Sequence, residues 1–452
     1  MRTSCDHGAD RLSARLPLLL AAASVLACLA LAITPAMATA AGHGRPSEPA
    51  SMAAGDRSTA RTETFASARL PTLAAVPYMG WNTYYGVGGV FDEQTILSVA
   101  RALLARGLAG AGYRIVWLDF GWATGQRDTR GELVVNRQQW PHGLPWLTGW
   151  LHQRGLLAGI YTDAGRSGCD GQGVGSYGHY QRDVNSFAAW GFDAVKVDFC
   201  GAGQQGLTPE VSYRQFAKAL ANNSSHRRML LNVDNFWVPG QIDGKRPSFA
   251  NSAYANYRWA PQIAQSWRTD TDIGYTRNIQ WTNVLRNLDN DAKHSKAAGR
   301  GHWNDPDYLG PELGMSAAEA QAQLSMWAIL AAPLILGSDP RVLSPATIRM
   351  LANRQVIAID QDPLGVQGTA VQQHGAGQVW SKRLSGGHQA VALLNRGSVA
   401  LRITTTAKKV GALKARLYGL QNVWTNTTKK TSGEISAVVP AHSVVLYRVS
   451  RL

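Results

Sequence analysis

The chain has 452 residues, of which 45% are apolar and 17% charged, and it contains 46 Gly. This length and composition predict a globular protein with one large domain and a smaller one. The formal net charge is +15, and residues 366–452 alone carry 12 Lys and Arg against the single acid Glu434. No nucleic-acid-binding motif accompanies this charge, so nucleic acid is not expected as a partner. The basic region is either a solvated surface or a site of weak association with anionic polymers.

An export signal is predicted at the N-terminus. Two arginines precede the apolar run "LPLLLAAASVLACLALAI", and the small residues Ala38 and Ala40 belong to a cleavage site of the A-x-A type. We therefore expect residues 1–40 to be a signal peptide, residues 41–74 a disordered linker, and the protein to be secreted or periplasmic. Because the apolar run is long for a signal peptide, an uncleaved membrane anchor is the alternative.

Export also determines which cysteines remain in the mature protein. Cys5 and Cys28 lie in the leader, so Cys169 and Cys200 remain, and we expect them to pair in an oxidising compartment. No further Cys or His lies near them at metal-ligand spacing, so no metal site is predicted.

Strand-like apolar runs recur through residues 75–340, with helix-like segments between them. The runs end about 35 residues apart, which is the length that a strand and a crossover helix require. Their ends are Asn82, Asp119, Asp163, Asp198, Asp234, Thr269, Asp305 and Gly337. Eight such units predict a (β/α)8 TIM barrel over residues 75–365. From residue 366, short alternating segments between turns predict a small antiparallel β-sandwich domain that extends to residue 452.

The stretch "AVKVDFC" places two charges on one of these strands. Lys196 and Asp198 are two residues apart, so they point to the same side of a β-strand. The carboxyl ends of the strands line the active site of such a barrel, so we interpret both residues as pocket residues and not as a buried structural pair. Five strand-end acids are expected to share this pocket. They are Asp119, Asp163, Asp198, Asp234 and Asp305.

A pocket of carboxylates without a metal cluster, a phosphate loop or a Ser-His elbow is typical of glycoside hydrolysis. One carboxylate then acts as nucleophile and another as general acid/base. Asp198 suits the nucleophile, because Lys196 and nearby donors would keep it ionised. The segment "SWRTDTDI" offers Asp270 and Asp272 as the acid/base, and spacing alone does not choose between them.

Several segments, in order, resemble glycoside hydrolase family 27, the family of α-galactosidases and α-N-acetylgalactosaminidases. They include "MGWNTYYG", "GIYTDAGRSGCDGQGVGSYGHYQRD", "WGFDAVKVDFC", "SWRTDTDI" and "WNDPDYL", and the resemblance covers residues 76–452. It implies a barrel with a C-terminal β-sandwich and no cofactor. It also implies that Asp198 is the nucleophile and that Asp272, not Asp270, is the acid/base.

The resemblance assigns further residues to the substrate. Trp81 is similar to the family's stacking tryptophan. The loop after strand five reads "NVDNFW" and departs from the family's usual acid-tryptophan stretch, which senses the substituent at C2, and Asp234 stands in for that acid. Four others match positions that bind sugar hydroxyls or surround the nucleophile, namely Asp119, Tyr161, Lys196 and Arg268. The pair Cys169 and Cys200 matches a family disulfide beside the pocket.

Two residues depart from the family's pattern and bear on specificity. Phe120 stands where α-galactosidases usually carry a second acid, which reads the 6-OH, and Tyr308 replaces a common methionine. An apolar ring cannot hydrogen-bond a hydroxyl, and a buried hydroxyl without a partner costs about 1–3 kcal/mol.

The sequence thus predicts a secreted retaining hydrolase of terminal α-D-galactosyl residues in oligo- or polysaccharides. The alternatives are a β-L-arabinopyranosidase, an α-N-acetylgalactosaminidase, an isomalto-dextranase or a non-catalytic carbohydrate-binding protein.

Overall fold

The computed structural model describes residues 74–169, 173–234 and 255–452. The predicted signal peptide and all but the last residue of the predicted linker lie outside the described residues, as does the predicted alternative of a membrane anchor. In the part of the chain that is described, no helix is long and apolar enough to cross a membrane.

The larger part of the described chain alternates parallel strands with helices. The first six strands are β1 Met79–Asn82, β2 Ile115–Leu118, β3 Leu157–Asp163, β4 Ala194–Asp198, β5 Leu230–Asp234 and β6 Ser266–Arg268. A short antiparallel hairpin follows, formed by β7 Gly274–Tyr275 and β8 Asn278–Ile279. The last two parallel strands are β9 Trp303–Asp305 and β10 Leu334–Leu336.

Helices occupy most of the connections between the strands. They are α1 Glu93–Ala105, α2 Leu108–Ala111, α3 Leu144–His152, α4 Tyr180–Ala189, α5 Cys200–Gln204, α6 Pro209–Ala221, α7 Trp281–Ala292, α8 Ala317–Leu330, α9 Pro345–Leu351 and α10 Arg354–Asp360. Side-chain caps begin four of them, namely α1, α8, α9 and α10. The Asp92 side chain accepts from the Thr95 N–H before α1, and Ser316 forms a capping box with Glu319 before α8.

The eight parallel strands form one curled sheet in the order β10-β1-β2-β3-β4-β5-β6-β9. The two edge strands meet through Leu309, whose N–H donates to the Ile335 carbonyl at 2.7 Å and whose carbonyl accepts from the Gly337 N–H at 2.7 Å. The register aligns the carboxyl ends, because Asp198 is paired with Asp163 on one side and with Asp234 on the other. The predicted TIM-like barrel is therefore confirmed.

The C-terminal part is antiparallel. Its strands are β11 Thr369–His374, β12 Gly377–Arg383, β13 Gln389–Asn395, β14 Leu401–Thr406, β15 Tyr418–Asn422, β16 Thr427–Thr431, β17 Glu434–Val439 and β18 Ser443–Arg451. Six of them form a sheet in the order β11-β12-β13-β18-β15-β16, and β14 pairs with β17. A separate apolar core that includes Val391, Ile435 and Val449 lies among these strands, as a β-sandwich requires.

The C-terminal domain is anchored to the barrel by packing and by one buried lysine. α8 is buried over most of its surface and contacts both barrel elements and the strands β12, β13 and β18. The Nζ of Lys382, on β12, donates to the Ala328 carbonyl at 2.8 Å and to the Ile359 carbonyl at 2.6 Å. Because these carbonyls lie near the carboxyl ends of α8 and α10, the ammonium group meets the negative end of two helix dipoles.

Candidate active site

Asp198 lies at the carboxyl end of β4, and donors hold both of its carboxylate oxygens. The Tyr161 hydroxyl donates to Oδ2 at 2.9 Å, and the Phe199 N–H donates to Oδ1 at 2.7 Å. Burial, followed by the charge of Asp234, raises the pKa of Asp198, whereas Lys196 and the Phe199 N–H lower it. The two donors fix the orientation of the carboxylate, as in-line attack by a nucleophile requires.

Tyr161 and a disulfide form one wall beside this carboxylate. Burial and the nearby charge of Asp198 raise the pKa of Tyr161 well above its usual value, so the hydroxyl keeps its proton and remains a donor. Cys169 and Cys200 form the predicted disulfide, and Sγ of Cys169 lies 3.1 Å from Oδ2 of Asp198. Since both sulfurs are joined to each other, they offer no thiolate to a metal ion.

Lys196, also on β4, bridges two neighbouring carboxylates. Its Nζ lies 3.0 Å from Oδ2 of Asp119 and 3.2 Å from Oδ2 of Asp234. Burial lowers the pKa of Lys196, but Asp119, Tyr308 and Asp234 together raise it well above its usual value, so the ammonium stays charged. Lys196 therefore acts on Asp198 through its charge rather than through direct contact.

Arg268 connects this bridge to the predicted acid/base. Its Nη1 donates to Oδ1 of Asp272 at 2.9 Å, and its Nη2 lies 2.6 Å from Oδ1 of Asp307 and 3.7 Å from Oδ2 of Asp234. The arginine side chain is 1% exposed. Its planar guanidinium, which presents several donors in a fixed geometry, holds these carboxylates in a set arrangement.

The two acids between which spacing did not choose differ in their exposure. Asp270 is fully buried, where its Oδ2 accepts from Nε of Arg286 at 3.2 Å and from Asn290. The side chain of Asp272 is 27% exposed. Burial raises the pKa of Asp272 to about 6, although Arg268 opposes the rise. Burial raises the pKa of Asp270 as well, so the two acids differ in access, which a general acid needs and which Asp272 has.

The structure corrects the prediction for Trp81. Trp81 is completely buried within β1, and its indole N–H donates to the Ser338 carbonyl at 2.9 Å, so no ring face is available to a sugar. Tyr84 borders the site instead. The charge of Asp272, followed by burial, raises the pKa of Tyr84, and its ring centroid lies 5.9 Å from Nζ of Lys196. The two rings differ in access because Trp81 lies within β1, which ends at Asn82, whereas Tyr84 lies beyond the strand.

The prediction that five strand-end acids share one pocket is wrong for two of them. Asp163 is fully buried and accepts from the backbone N–H groups of Gly165, Gly201 and Ala202. Asp305 is 1% exposed, and it accepts from Nδ2 of Asn232 at 2.9 Å and from the N–H of Asp307. Both carboxylates stabilise the loops and strands beneath the site. They match the strand-end pattern because helix and loop N–H groups also attract acids there.

Asn82 and Asp307 also contact site residues, although neither is among the site residues predicted from the sequence. Nδ2 of Asn82 donates to Oδ2 of Asp119 at 2.6 Å and to the Tyr308 hydroxyl at 3.1 Å. Oδ2 of Asp307 accepts from the Tyr85 hydroxyl at 2.5 Å. The sequence could have indicated both residues, because Asn82 ends the first strand-like run and Asp307 lies in "WNDPDYL", just beyond the seventh strand-like run.

The two residues that depart from the family's pattern, Phe120 and Tyr308, both lie next to site residues. The Tyr308 ring centroid is 5.4 Å from Nζ of Lys196, and Tyr308 is 4% exposed. The Phe120 ring packs edge-on against Tyr161, with centroids 6.2 Å apart, and both rings line a cavity of about 250 Å³. An apolar wall thus stands next to the tyrosine that holds Asp198.

Comparisons with known proteins agree with this geometry. A family model described as alpha galactosidase A matches residues 88–362, and one described as the alpha galactosidase C-terminal beta sandwich domain matches residues 374–449. The chain belongs to glycoside hydrolase family 27, the α-galactosidase family. It is therefore a glycoside hydrolase.

Individual relatives cover nearly the whole of the described chain. An alpha-galactosidase from Coffea arabica is 36% identical over 379 residues, which is 83% of this chain and 94% of the relative. Alpha-galactosidase 2 from Arabidopsis thaliana is 33% identical over 383 residues, or 84% and 90% of the two chains.

Solved structures of family members also match. Alpha-galactosidase I from Mortierella vinacea superposes with a TM-score of 0.75 at 28% identity, covering 84% of this chain and 98% of that protein. A β-L-arabinopyranosidase from Geobacillus stearothermophilus has a TM-score of 0.72 at 20% identity, over 83% and 97% of the two chains, which supports the fold alone.

Replacing Tyr161 by Phe tests whether its hydroxyl supports the reaction. The variant leaves Oδ2 of Asp198 without its donor, so we expect kcat for glycoside hydrolysis to fall on the order of a hundredfold. Tyr213→Phe is the matched control, because the Tyr213 hydroxyl donates to the Val197 carbonyl at 2.9 Å and not to a carboxylate. Steady-state kinetics of both variants are the measurement, and an equal fall in kcat would contradict a specific role for Tyr161.

Proposed function

We propose that the protein removes terminal α-D-galactosyl residues from oligo- or polysaccharides with retention of configuration. The observation that carries this proposal is the contrast between two carboxyl groups in one cluster. Asp198 is held by two donors, whereas Asp272 is accessible and has a pKa of about 6. Relatives named as α-galactosidases, at 33% to 36% identity, support galactose as the sugar.

In the first step, an oxygen of Asp198 attacks the anomeric carbon and forms a glycosyl ester. The bond from that carbon to the leaving-group oxygen breaks, and Asp272 transfers its proton to this oxygen. The positive charges of Lys196 and Arg268 oppose protonation of the two carboxyl groups, whereas burial favours it. This balance allows one carboxyl to be ionised and the other protonated at mildly acidic pH.

In the second step, water hydrolyses the ester. Asp272, now ionised, accepts a proton from the water as its oxygen bonds to the anomeric carbon. The bond to Asp198 breaks, so both carboxyl groups return to their starting protonation states. Two inversions at one carbon give net retention, and no cofactor takes part.

The remaining polar groups of the cluster suit the binding of hydroxyls. A connected row of polar groups crosses the cluster, in which the donor Lys196 lies between the acceptors Asp119 and Asp234. Arg268 lies next to Asp234 and continues the row to Asp272. Tyr84 supplies the aromatic surface that the sequence analysis assigned to Trp81. Such groups recognise a sugar through its hydroxyls while an aromatic face packs against its C–H bonds.

The place of action is part of the proposal. The predicted leader supports secretion or periplasmic export, and the disulfide between Cys169 and Cys200 fits an oxidising compartment. A carbohydrate is the expected partner.

The roles of Asp198 and Asp272 are separable by azide rescue. With dinitrophenyl α-galactoside, which needs little acid assistance, Asp272→Ala is expected to form the glycosyl ester and to give α-galactosyl azide when azide is added. Asp198→Ala is expected to lose on the order of 10⁴-fold or more in kcat and to give the β-azide. Product anomers are read by NMR. Parental turnover by Asp198→Ala would contradict the proposal and favour a non-catalytic role for this carboxylate.

The pKa of Asp272 predicts an alkaline limit to activity. Asp272 must be protonated to assist departure of the leaving group. We therefore expect kcat/KM for a phenyl α-galactoside to fall tenfold for each pH unit above about 6. Dinitrophenyl α-galactoside serves as the control, since its leaving group needs no proton. Its kcat/KM is expected to stay flat over the same range. Parallel profiles for the two substrates would contradict the assignment of Asp272.

A second candidate function follows from Phe120. Its ring packs against Tyr161 and offers no hydrogen bond, so a sugar without the C6 hydroxymethyl group fits that side without leaving a hydroxyl unpaired. This property favours a β-L-arabinopyranoside, which is a galactoside without C6.

Nitrophenyl glycosides distinguish the two candidates. On the main proposal, kcat/KM is higher for the α-galactoside than for the β-L-arabinopyranoside, and Phe120→Asp raises this ratio about tenfold by adding an acceptor for the 6-OH. Val174→Asp, which lines the same cavity, is the control. Preference of the parent for the arabinopyranoside would establish the second candidate.

A further inference from the structure

The C-terminal domain carries a second opening, which shares no residue with the site around Asp198. Its volume is about 530 Å³, within the range of roughly 300–1,000 Å³ that is common for ligand sites. Side chains that can be positively charged line it, namely His388, Lys414, Arg416 and Arg451. We call this opening the basic cleft.

Three segments distant in sequence form the basic cleft. The turn between β12 and β13 contributes Gly386 and Gly387, the segment before β15 contributes Lys414 and Arg416, and Arg451 ends β18. Both glycines have positive φ, at 69° and 75°, which favours glycine over other residues. A Cβ at Gly387 would lie 3.9 Å from Nη2 of Arg451, so the turn brings the backbone close to this guanidinium.

The positive charges of the basic cleft are not neutralised by neighbouring side chains. In the described part of the chain, no carboxylate side chain forms an ion pair with Lys414, Arg416 or Arg451, and all three are exposed. Burial, followed by the charge of Arg448, lowers the pKa of His388, and Arg451 lowers it further. The cleft is therefore a region of concentrated positive potential.

A carboxylate side chain also lies near the basic cleft. Asp362 opposes the lowering of the pKa of His388, but its carboxylate already accepts from the N–H and the hydroxyl of Ser385. The lowered pKa of His388 favours its neutral form, so the cations of the cleft are Lys414, Arg416 and Arg451. These three outnumber the one carboxylate of Asp362, so an excess of positive charge is available to a partner.

We propose that the basic cleft binds the carboxylate groups of an acidic polysaccharide. Arginine guanidinium groups match carboxylates with two parallel hydrogen bonds, and the cleft presents two of them together with a lysine. A single-stranded nucleic acid is a poorer fit, because no Phe, Tyr or Trp is among the described residues that line the cleft and could stack on bases. The choice of a polysaccharide rests on the proposed function, whereas the choice of an anion rests on the charge of the cleft.

Binding in the basic cleft would hold a charged polymer on the enzyme without using the catalytic carboxylates. A galactosyl branch on such a polymer would then reach the site around Asp198 at an increased local concentration. The KM for a polymeric acidic substrate would fall, and hydrolysis of a small nitrophenyl glycoside would not change.

Binding of sodium polygalacturonate to the full-length protein at low salt tests this proposal. The cleft variant K414Q/R416Q/R451Q is expected to bind at least about tenfold more weakly than the parent, with a reduced dependence on salt. The control variant K408Q/K429Q/K430Q loses the same charge from exposed positions in the same domain, and its affinity is expected to change less than about twofold. Both variants are expected to hydrolyse nitrophenyl α-galactoside as the parent does.

Several outcomes would overturn the proposal. Equal weakening in the two variants would mean that net charge alone binds the polymer, and failure of the parent to bind would leave the basic cleft without this role. Tighter binding of single-stranded DNA or of poly(glycerol phosphate) would assign the cleft to another partner. Hydrolysis of the nitrophenyl galactoside is measured separately, so failure of the cleft is distinguishable from failure of the proposed function.

Discussion

The structure of the active site depends on the pairing of two buried cations, Lys196 and Arg268, with a larger number of carboxylates. Removing one carboxylate from water costs several kcal/mol, and a cation next to it repays this cost only in good geometry. Each cation contacts at least two acids, with distances of 2.6 to 3.2 Å for the closest ones. Burial, together with the negative charge that stays uncompensated, raises the pKa of Asp198 and of Asp272. A protonated and an ionised carboxyl can thus coexist beside one sugar.

The barrel supplies the positions of these charges. Parallel pairing aligns the ends of β3, β4 and β5, so residues far apart in the chain meet at one level. The disulfide and Tyr161 then limit the movement of Asp198. The C-terminal domain contributes through α8, which packs on both parts and shares the Lys382 contacts with α10. Rigid support of this kind is what keeps catalytic groups in productive geometry.

The sequence predicted the fold well because hydrophobic patterning and repeat length determine it. All eight parallel strands end within one residue of the ends read from the apolar runs, from Asn82 to Gly337. The direction in which individual side chains point was harder to predict from the sequence. A strand end attracts an acid either for the pocket or for backbone N–H groups, so Asp163 and Asp119 look alike in sequence. Trp81 lies within β1, whereas Tyr84 lies just beyond the end of this strand. The position of the strand end therefore decides which of the two rings a sugar can reach.

The central claim is that Asp198 forms a covalent bond to the sugar, and trapping tests it most directly. A 2-deoxy-2,2-difluoro-α-galactoside with a trinitrophenyl leaving group slows hydrolysis of the glycosyl ester more than its formation. After peptic digestion, mass spectrometry should find one sugar on the peptide that contains Asp198, and none in Asp198→Asn. A sugar on another carboxylate, or turnover with inversion and no labelled peptide, would contradict the account.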